Sequence, residues 1–302
     1  MRVFVTGATG FIGSAVVAEL IDAGHDVIGL ARSDERAAAV RAAGAEAHRG
    51  ALDDLDSLRS GAAPADGVIH TAYIHDFSRM QDAARTDLLA IETLGTALEG
   101  SGRPMVITTG TALIKPGEVA TEEDSADTGS HPRLKAEDAA KAFAQRGVRT
   151  SIVRPGTSVH GEGDHGFVPV LIDIARTKGV SGYIGDGSNR WPAVHRLDAA
   201  HLYRLALEQA PAGSVFHAIA DEGVPTRDIA EVIGRHLDLP VVSVAPQDAA
   251  EHFGWMGMFF AIDAPASSAL TQERLGWRPT RRGLIEDLER RHYFEQARAD
   301  AA

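Results

Sequence analysis

Short apolar runs that end at glycine alternate with apolar repeats of helical period through the first half of this chain. Val3-Phe4-Val5 is followed by Phe11, Ile12, Val16, Val17, Leu20 and Ile21, which fall on one face of a 3.6-residue period. The same reading predicts strands at Arg2–Thr6, Asp26–Ala31, Glu46–His48, Gly67–His70, Pro104–Thr108 and Arg149–Arg154. It predicts helices at Phe11–Ala23, Asp34–Ala43, Asp54–Ser60, Arg79–Glu99 and Pro132–Gln145, ending near Gly24, Gly44, Gly61, Gly100 and Gly147. Strands that alternate with helices pair in parallel through right-handed crossovers, so the expected fold class is α/β with a doubly wound parallel Rossmann sheet.

After Pro155 the pattern loosens, with frequent glycine and proline from Gly156 to Pro192. Helices are expected at Val168–Lys178, Leu197–Gln209 and Thr226–Leu237, the last capped by Thr226, and strands at Ser214–Ala218 and Val241–Val244. The expected organisation is a dinucleotide-binding domain over 1–155 and a smaller C-terminal substrate-binding domain over 156–302. Segments at about 195–220 are expected to return to the first sheet.

The join between the first strand and helix carries the strongest chemistry. Gly7-Ala8-Thr9-Gly10-Phe11-Ile12-Gly13 closes a strand and opens a helix. Backbone N–H groups and the helix dipole make that junction an anion site, and missing Cβ atoms let a pyrophosphate approach. Thr9, Phe11 and Ile12 belong to the same turn. The second strand ends at Arg32-Ser33, where an NAD site usually carries a carboxylate for the ribose 2′-hydroxyl. A cation there suits a 2′-phosphate, which favours NADP over NAD, although a solvated surface arginine reads the same way. Leu52-Asp53 follows the third strand; the carboxylate can accept the adenine amino group, cap a helix, or do both.

With these motifs the chain resembles the extended short-chain dehydrogenase/reductase superfamily of the NAD-dependent epimerase/dehydratase type. The resemblance runs through Val68-Ile69-His70-Thr71-Ala72, Ile107-Thr108-Thr109-Gly110-Thr111, Arg154-Pro155, Val194-His195-Arg196-Leu197-Asp198 and Leu275-Gly276-Trp277-Arg278-Pro279. It implies that Thr71 and Ala72 edge the cofactor and that the backbone of Pro155, Gly156 and Thr157 meets the nicotinamide amide. The family's catalytic tyrosine and lysine are spaced Y-x-x-x-K; here Lys135 matches the lysine and His131 stands in the tyrosine's place. Spacing of four puts both side chains on one helix face. Imidazole titrates near neutrality and can exchange a proton with substrate oxygen, while the lysine holds the nicotinamide ribose. Alternatively, His131 only caps the helix. The assisting serine is also replaced: Thr109 or Thr111 could orient the substrate, or each could bond to backbone. His75, just beyond Thr71-Ala72, is a second candidate proton donor; its other reading is a helix-entry loop capped by Asp76.

Composition narrows the partners. A net charge of −12 argues against nucleic acid. No apolar run approaches the roughly 18 residues of a membrane span, and the first strand starts at once, so a cytoplasmic protein is expected. The absence of cysteine excludes thiol catalysis and cysteine-bound metal. The cluster His160-Gly161-Glu162-Gly163-Asp164-His165 lacks helical H-E-x-x-H spacing, so no metal site is expected, and it reads as a loop beside the substrate cleft. Phe167, Trp191 and the run Trp255–Phe260 suit a small or apolar substrate, though aromatic clusters are more often core. The resemblance implies a homodimer through the helices at Arg79–Glu99 and Pro132–Gln145. The expected activity is NADP(H)-dependent hydride transfer to or from a carbonyl or alcohol carbon. Two alternatives stand beside it: a non-catalytic NADP(H)-binding redox sensor, and an epimerase or dehydratase with no net cofactor turnover.

Overall fold

The computed structural model describes residues 1–125, 132–290 and 292–295. His131 therefore lies outside the described residues. In chain order the first half runs β1 (Arg2–Thr6), α1 (Phe11–Asp22), β2 (Asp26–Ala31), α2 (Asp34–Ala42), β3 (Glu46–Arg49), α3 (Leu55–Ala62) and β4 (Gly67–His70). It continues with α4 (Met80–Leu98), β5 (Pro104–Thr108), α5 (Lys135–Gln145) and β6 (Arg149–Pro155). The second half holds β7 (Ser158–His160), α6 (Phe167–Lys178), β8 (Ser181–Ile184), β9 (Arg190–His195), α7 (Arg196–Gln209), β10 (Ser214–Ala218), β11 (Asp221–Pro225), α8 (Thr226–Leu237) and β12 (Val241–Val244). Short helices follow: α9 (Ala249–Phe253), α10 (Met256–Phe260), α11 (Ala269–Leu275), α12 (Leu284–Leu288) and α13 (His292–Glu295).

The main sheet has the order β3-β2-β1-β4-β5-β6-β10, parallel throughout. Its central strands β4 and β5 are buried along their whole length, as their unbroken apolar runs require when helices cover both faces. One face carries α1 and α7 over Val3, Val5, Ile69, Val106 and Val153. The other carries α3, α4 and α5 over Phe4, Val68, Met105, Ile107 and Ile152. The chain reverses direction across the sheet between β1 and β4, and a doubly wound sheet opens its ligand crevice at that point. A separate core, with Val168, Ile172, Trp191, Ile229, Ile233, Phe253, Phe260 and Leu284, unites α6, α8, α10 and α12. Two small sheets, β11-β9-β7 and β12-β8, complete this part.

Gly61 sits in the last turn of α3, which ends at Ala62, and a Cβ there would run into the Phe4 ring, so the glycine also serves sheet packing. Two local expectations are corrected. Thr226 does not cap α8; it is the first helical residue after Pro225, and its hydroxyl donates to the Asn189 side-chain oxygen at 2.6 Å. The fifth helix begins as a tight 3₁₀ turn over Pro132–Leu134, and the α-helix starts only at Lys135. Among the described residues, no helix is long and apolar enough to cross a membrane.

Candidate active site

The glycine turn is shaped by close backbone approach. Gly7 adopts φ +71°, and a Cβ there would lie 2.8 Å from the Ala72 nitrogen and from Thr71 Oγ1. A Cβ on Gly13 would fall inside the van der Waals shell of the Gly7 carbonyl. The loop after β4 is thus pressed onto the turn, and Thr71 Oγ1 fixes it by donating to the Thr6 carbonyl at 2.8 Å. Gly10 precedes α1 without any side-chain cap, so the helix N-terminus is left for a ligand. Thr9, Phe11 and Ile12 are half-buried and Gly10 is exposed at this opening.

At the end of β2, Arg32 is exposed, and the Ser33 hydroxyl accepts from the Arg36 N–H to cap α2. Arg36 reaches back to the glycine turn: its Nη1 donates to the Thr9 carbonyl at 3.4 Å. Asp34, the nearest carboxylate in sequence, pairs with Arg49 at 3.3 Å. The Arg36 guanidinium therefore flanks the turn, and Arg32 stands exposed at the end of β2. The cap of α3 is Asp54, whose carboxylate accepts from the Ser57 N–H at 3.2 Å, which leaves the exposed Asp53 carboxylate outside that role. Leu52 packs half-buried against the core beneath α3.

Deeper in the crevice, the residues after β4 and β5 are tied into buried polar chains. His70 Nδ1 lies 2.8 Å from Thr6 Oγ1, and His70 Nε2 donates to Asp87 at 3.0 Å. Thr108 joins the His70 carbonyl and the Tyr203 hydroxyl at 2.8 and 2.7 Å; burial raises the Tyr203 phenol above its usual range. Thr109 Oγ1 donates to Glu137 at 2.8 Å, and Thr111 Oγ1 donates to the Pro155 carbonyl at 3.4 Å. Both candidate threonine protons are thus engaged by the protein. Glu137 also takes a two-pronged bond from Arg154, at 2.8 Å from Nε and 2.5 Å from Nη2. Burial alone would raise the Glu137 carboxyl, but the Arg154 bonds and charge outweigh it and hold it low.

Lys135 is exposed at the start of α5. His75 stands with its ring 5.3 Å from Tyr73, edge to face, and Arg133 covers Tyr73 at 3.9 Å. His75 keeps an exposed surface, yet partial desolvation, then the Arg133 cation, lowers its pKa. Asp76 caps the turn that follows, accepting from the Ser78 N–H at 3.1 Å. Beyond β6, Thr157 Oγ1 is buried without a hydrogen-bond partner among the described residues, where a ligand amide would satisfy it. The glycine cradle, the uncapped helix end and this orphaned hydroxyl fit a dinucleotide along the crevice.

The loop Gly161–Gly166 covers the first turn of α1, with the His165 ring 5.7 Å from Phe11. Among the described residues, no group of three or more histidine or acidic side chains could hold a metal ion. Phe167 contacts Trp191, Phe259 and Trp255 with centroids 5.7, 5.2 and 6.1 Å apart. Trp191 is fully buried core, whereas Trp255 is 45% exposed. The sequence reading missed Arg36, Asp87 and Glu137. Arg36 was visible as a second cation four residues after Arg32, one helical turn on. A charged Arg154 inside an apolar strand called for a buried acid on the neighbouring helix.

Comparison with known proteins agrees with this geometry. A family model described as "NAD dependent epimerase/dehydratase family" matches residues 3–219. A Schizosaccharomyces pombe protein, "Uncharacterized protein C2A9.02", is 52% identical over 295 residues, covering 97% of this chain and 100% of that protein. A Stigmatella aurantiaca protein, "4-hydroxy-2-methyl-3-oxo-4-farnesyl-3,4-dihydroquinoline-1-oxide ketoreductase", is 30% identical over 288 residues, covering 88% of this chain and 84% of that one. The solved structure "MoeE5 in complex with UDP-glucose and NAD" shares the fold, with TM-score 0.77, 23% identity and 100% coverage of both chains.

Proposed function

This chain belongs to the NAD dependent epimerase/dehydratase family, and from that premise we propose that it is an NADP(H)-dependent oxidoreductase acting on a small or apolar carbonyl or alcohol substrate. The observation that carries this reading is Arg36, whose guanidinium donates to the Thr9 carbonyl of the glycine turn, with Arg32 exposed four residues earlier at the end of β2. A ribose 2′-phosphate suits guanidinium groups at this strand end.

When bound, the nicotinamide cofactor supplies or accepts the hydride. The chain's own residues do the rest. Gly7, Gly10 and Gly13 admit the pyrophosphate to the start of α1, and Lys135 holds the ribose hydroxyls. Thr157 meets the nicotinamide amide. The proton at the substrate oxygen comes from His131 or His75. Thr109 and Thr111 shape the site chiefly through Glu137 and Pro155. The aromatic side chains around Phe167 support an apolar substrate, and the Stigmatella relative's name as a ketoreductase supports a ketone.

A second reading, NADP(H) binding without turnover, is favoured by one observation: neither threonine hydroxyl has its proton free for substrate. One experiment separates the two. NADPH and NADH are incubated with a broad panel of aliphatic and aromatic ketones, and the reduced-nicotinamide absorbance is followed. Loss of absorbance that is faster with NADPH supports the oxidoreductase. Tight NADPH binding with no consumption across the panel supports the sensor.

A further inference from the structure

A cleft of about 850 Å³ opens between the N-terminus of α7 and a wall formed by residues 280–290 and His292. No residue assigned above to the cofactor cradle lines it. Arg196, Arg281, Arg282 and Arg290 all do. Such convergence is unexpected on a chain of net charge −12 unless the cations meet an anion.

The carboxylates nearby do not neutralise the group. Glu286 is engaged by Arg282 at 2.9 Å, and Asp287 is held by His160 at 3.0 Å. Asp198 lies beneath the cleft and accepts the N–H groups of Thr280 and Arg281 at 3.1 and 2.9 Å, so it fixes the backbone that carries Arg281. Among the described residues, no carboxylate lies within ion-pair distance of the Arg196, Arg281 or Arg290 guanidinium. Glu162 also lines the cleft and is outnumbered by these three.

Two further features favour an anion. The N-terminus of the fourteen-residue α7 faces the cleft through His195, Arg196 and Leu197 and contributes its dipole, with the Leu197 N–H already accepted by His195 Nδ1 at 3.2 Å. His292 also lines it, and its Nε2 is buried with no hydrogen-bond partner among the described residues. Guanidinium forks match the oxygens of a phosphate, and an imidazole N–H can take another. We propose that this cleft is a second anion site, distinct from the cofactor cradle, that binds the phosphate group of a small molecule.

Arg196 lies over the Phe11 ring at 5.1 Å, so the cleft borders the cofactor site, and a test must fill that site first. Inorganic pyrophosphate is titrated calorimetrically into NADPH-saturated protein (NADH-saturated, should NADH bind better), with ionic strength held by sodium chloride. The expected result is saturable one-site heat that weakens at least about tenfold in the Arg281→Gln, Arg290→Gln double variant. That variant should keep the parent's melting temperature and cofactor affinity. Should the double variant fail to fold, Arg290→Gln alone carries the test, since Arg290 is exposed. Absence of saturable heat in the parent, or a folded variant that binds as the parent does, overturns the proposal.

Discussion

Thr109 and Glu137 are joined by a buried hydrogen bond of 2.8 Å, and the same carboxylate receives the fork of Arg154. This junction fastens α5 to the ends of β5 and β6, two residues beyond Lys135. Thr109, one of two threonines the sequence offered to orient a substrate, has its hydroxyl proton committed to this junction.

Removing the acid should leave a buried guanidinium without its counter-charge. Glu137→Gln is expected to cost about 3–5 kcal/mol, read by urea denaturation. Thr109→Val should cost roughly 1 kcal/mol and leave turnover within a few-fold of the parent. A Thr109→Val protein of unchanged stability but collapsed turnover would return that hydroxyl to the substrate.

Gly13→Ala tests the cradle. The new methyl group meets the Gly7 carbonyl, and backbone cannot move aside as a flexible side chain can. Calorimetry with NADPH should show affinity lowered by at least about a hundredfold, with the loss exceeding any fall in stability. Unaltered affinity in a folded variant would remove the glycine turn from the cofactor site.

Cofactor preference should rest on Arg32 and Arg36 together. Loss of one charge-assisted contact to a 2′-phosphate is worth about 1.5–3 kcal/mol. Arg32→Gln and Arg36→Gln should therefore each weaken NADPH by about ten- to a hundredfold and leave NADH nearly unchanged. Equal losses for both coenzymes would show that the arginines do not read the 2′ position.

Much of this crevice was legible in the sequence, for a physical reason. Strands such as β4 and β5 are buried on both faces and appear as unbroken apolar runs, and the glycine turn announces itself by spacing. β8 and β9 were missed because Ser181-Gly182-Tyr183-Ile184 and Arg190-Trp191-Pro192 mix glycine, proline and charge in strands of small sheets. Long-range polar pairs such as His70 with Asp87 were hidden for another reason: no local period records which helix will cover which strand.

The proton donor should reveal itself through pH. Burial and the Arg133 cation lower the His75 pKa, so its charged form disappears at a lower pH than an ordinary imidazole, which titrates near about 6.5. If His75 donates the proton, kcat for ketone reduction falls as pH rises through a value below that, and His75→Gln removes the fall. If His131 donates it, His131→Ala removes the pH dependence and His75→Gln preserves it. NADPH affinity should stay near the parent's in both variants.

Asp164 offers the cleanest test of the loop that covers α1. Burial pushes its carboxyl up to about 6, against the hydrogen bond from the Gly166 N–H and the phenol of Tyr293. A carboxyl whose folded pKa exceeds its unfolded value of about 3.9 contributes stability that is fully present below that value and lost as pH rises through the folded one. Asn resembles the protonated form: its oxygen can accept from Gly166, and its amide can donate to the Tyr293 oxygen. Asp164→Asn should therefore match the parent near pH 4 and exceed it by up to about 3 kcal/mol at pH 8 in urea denaturation. A variant weaker than the parent at pH 8 would mean that the ionised carboxylate is the form the loop is built to hold. The raised pKa would then be overturned, and the charged group would belong to the network of His160 and Asp287 beside it.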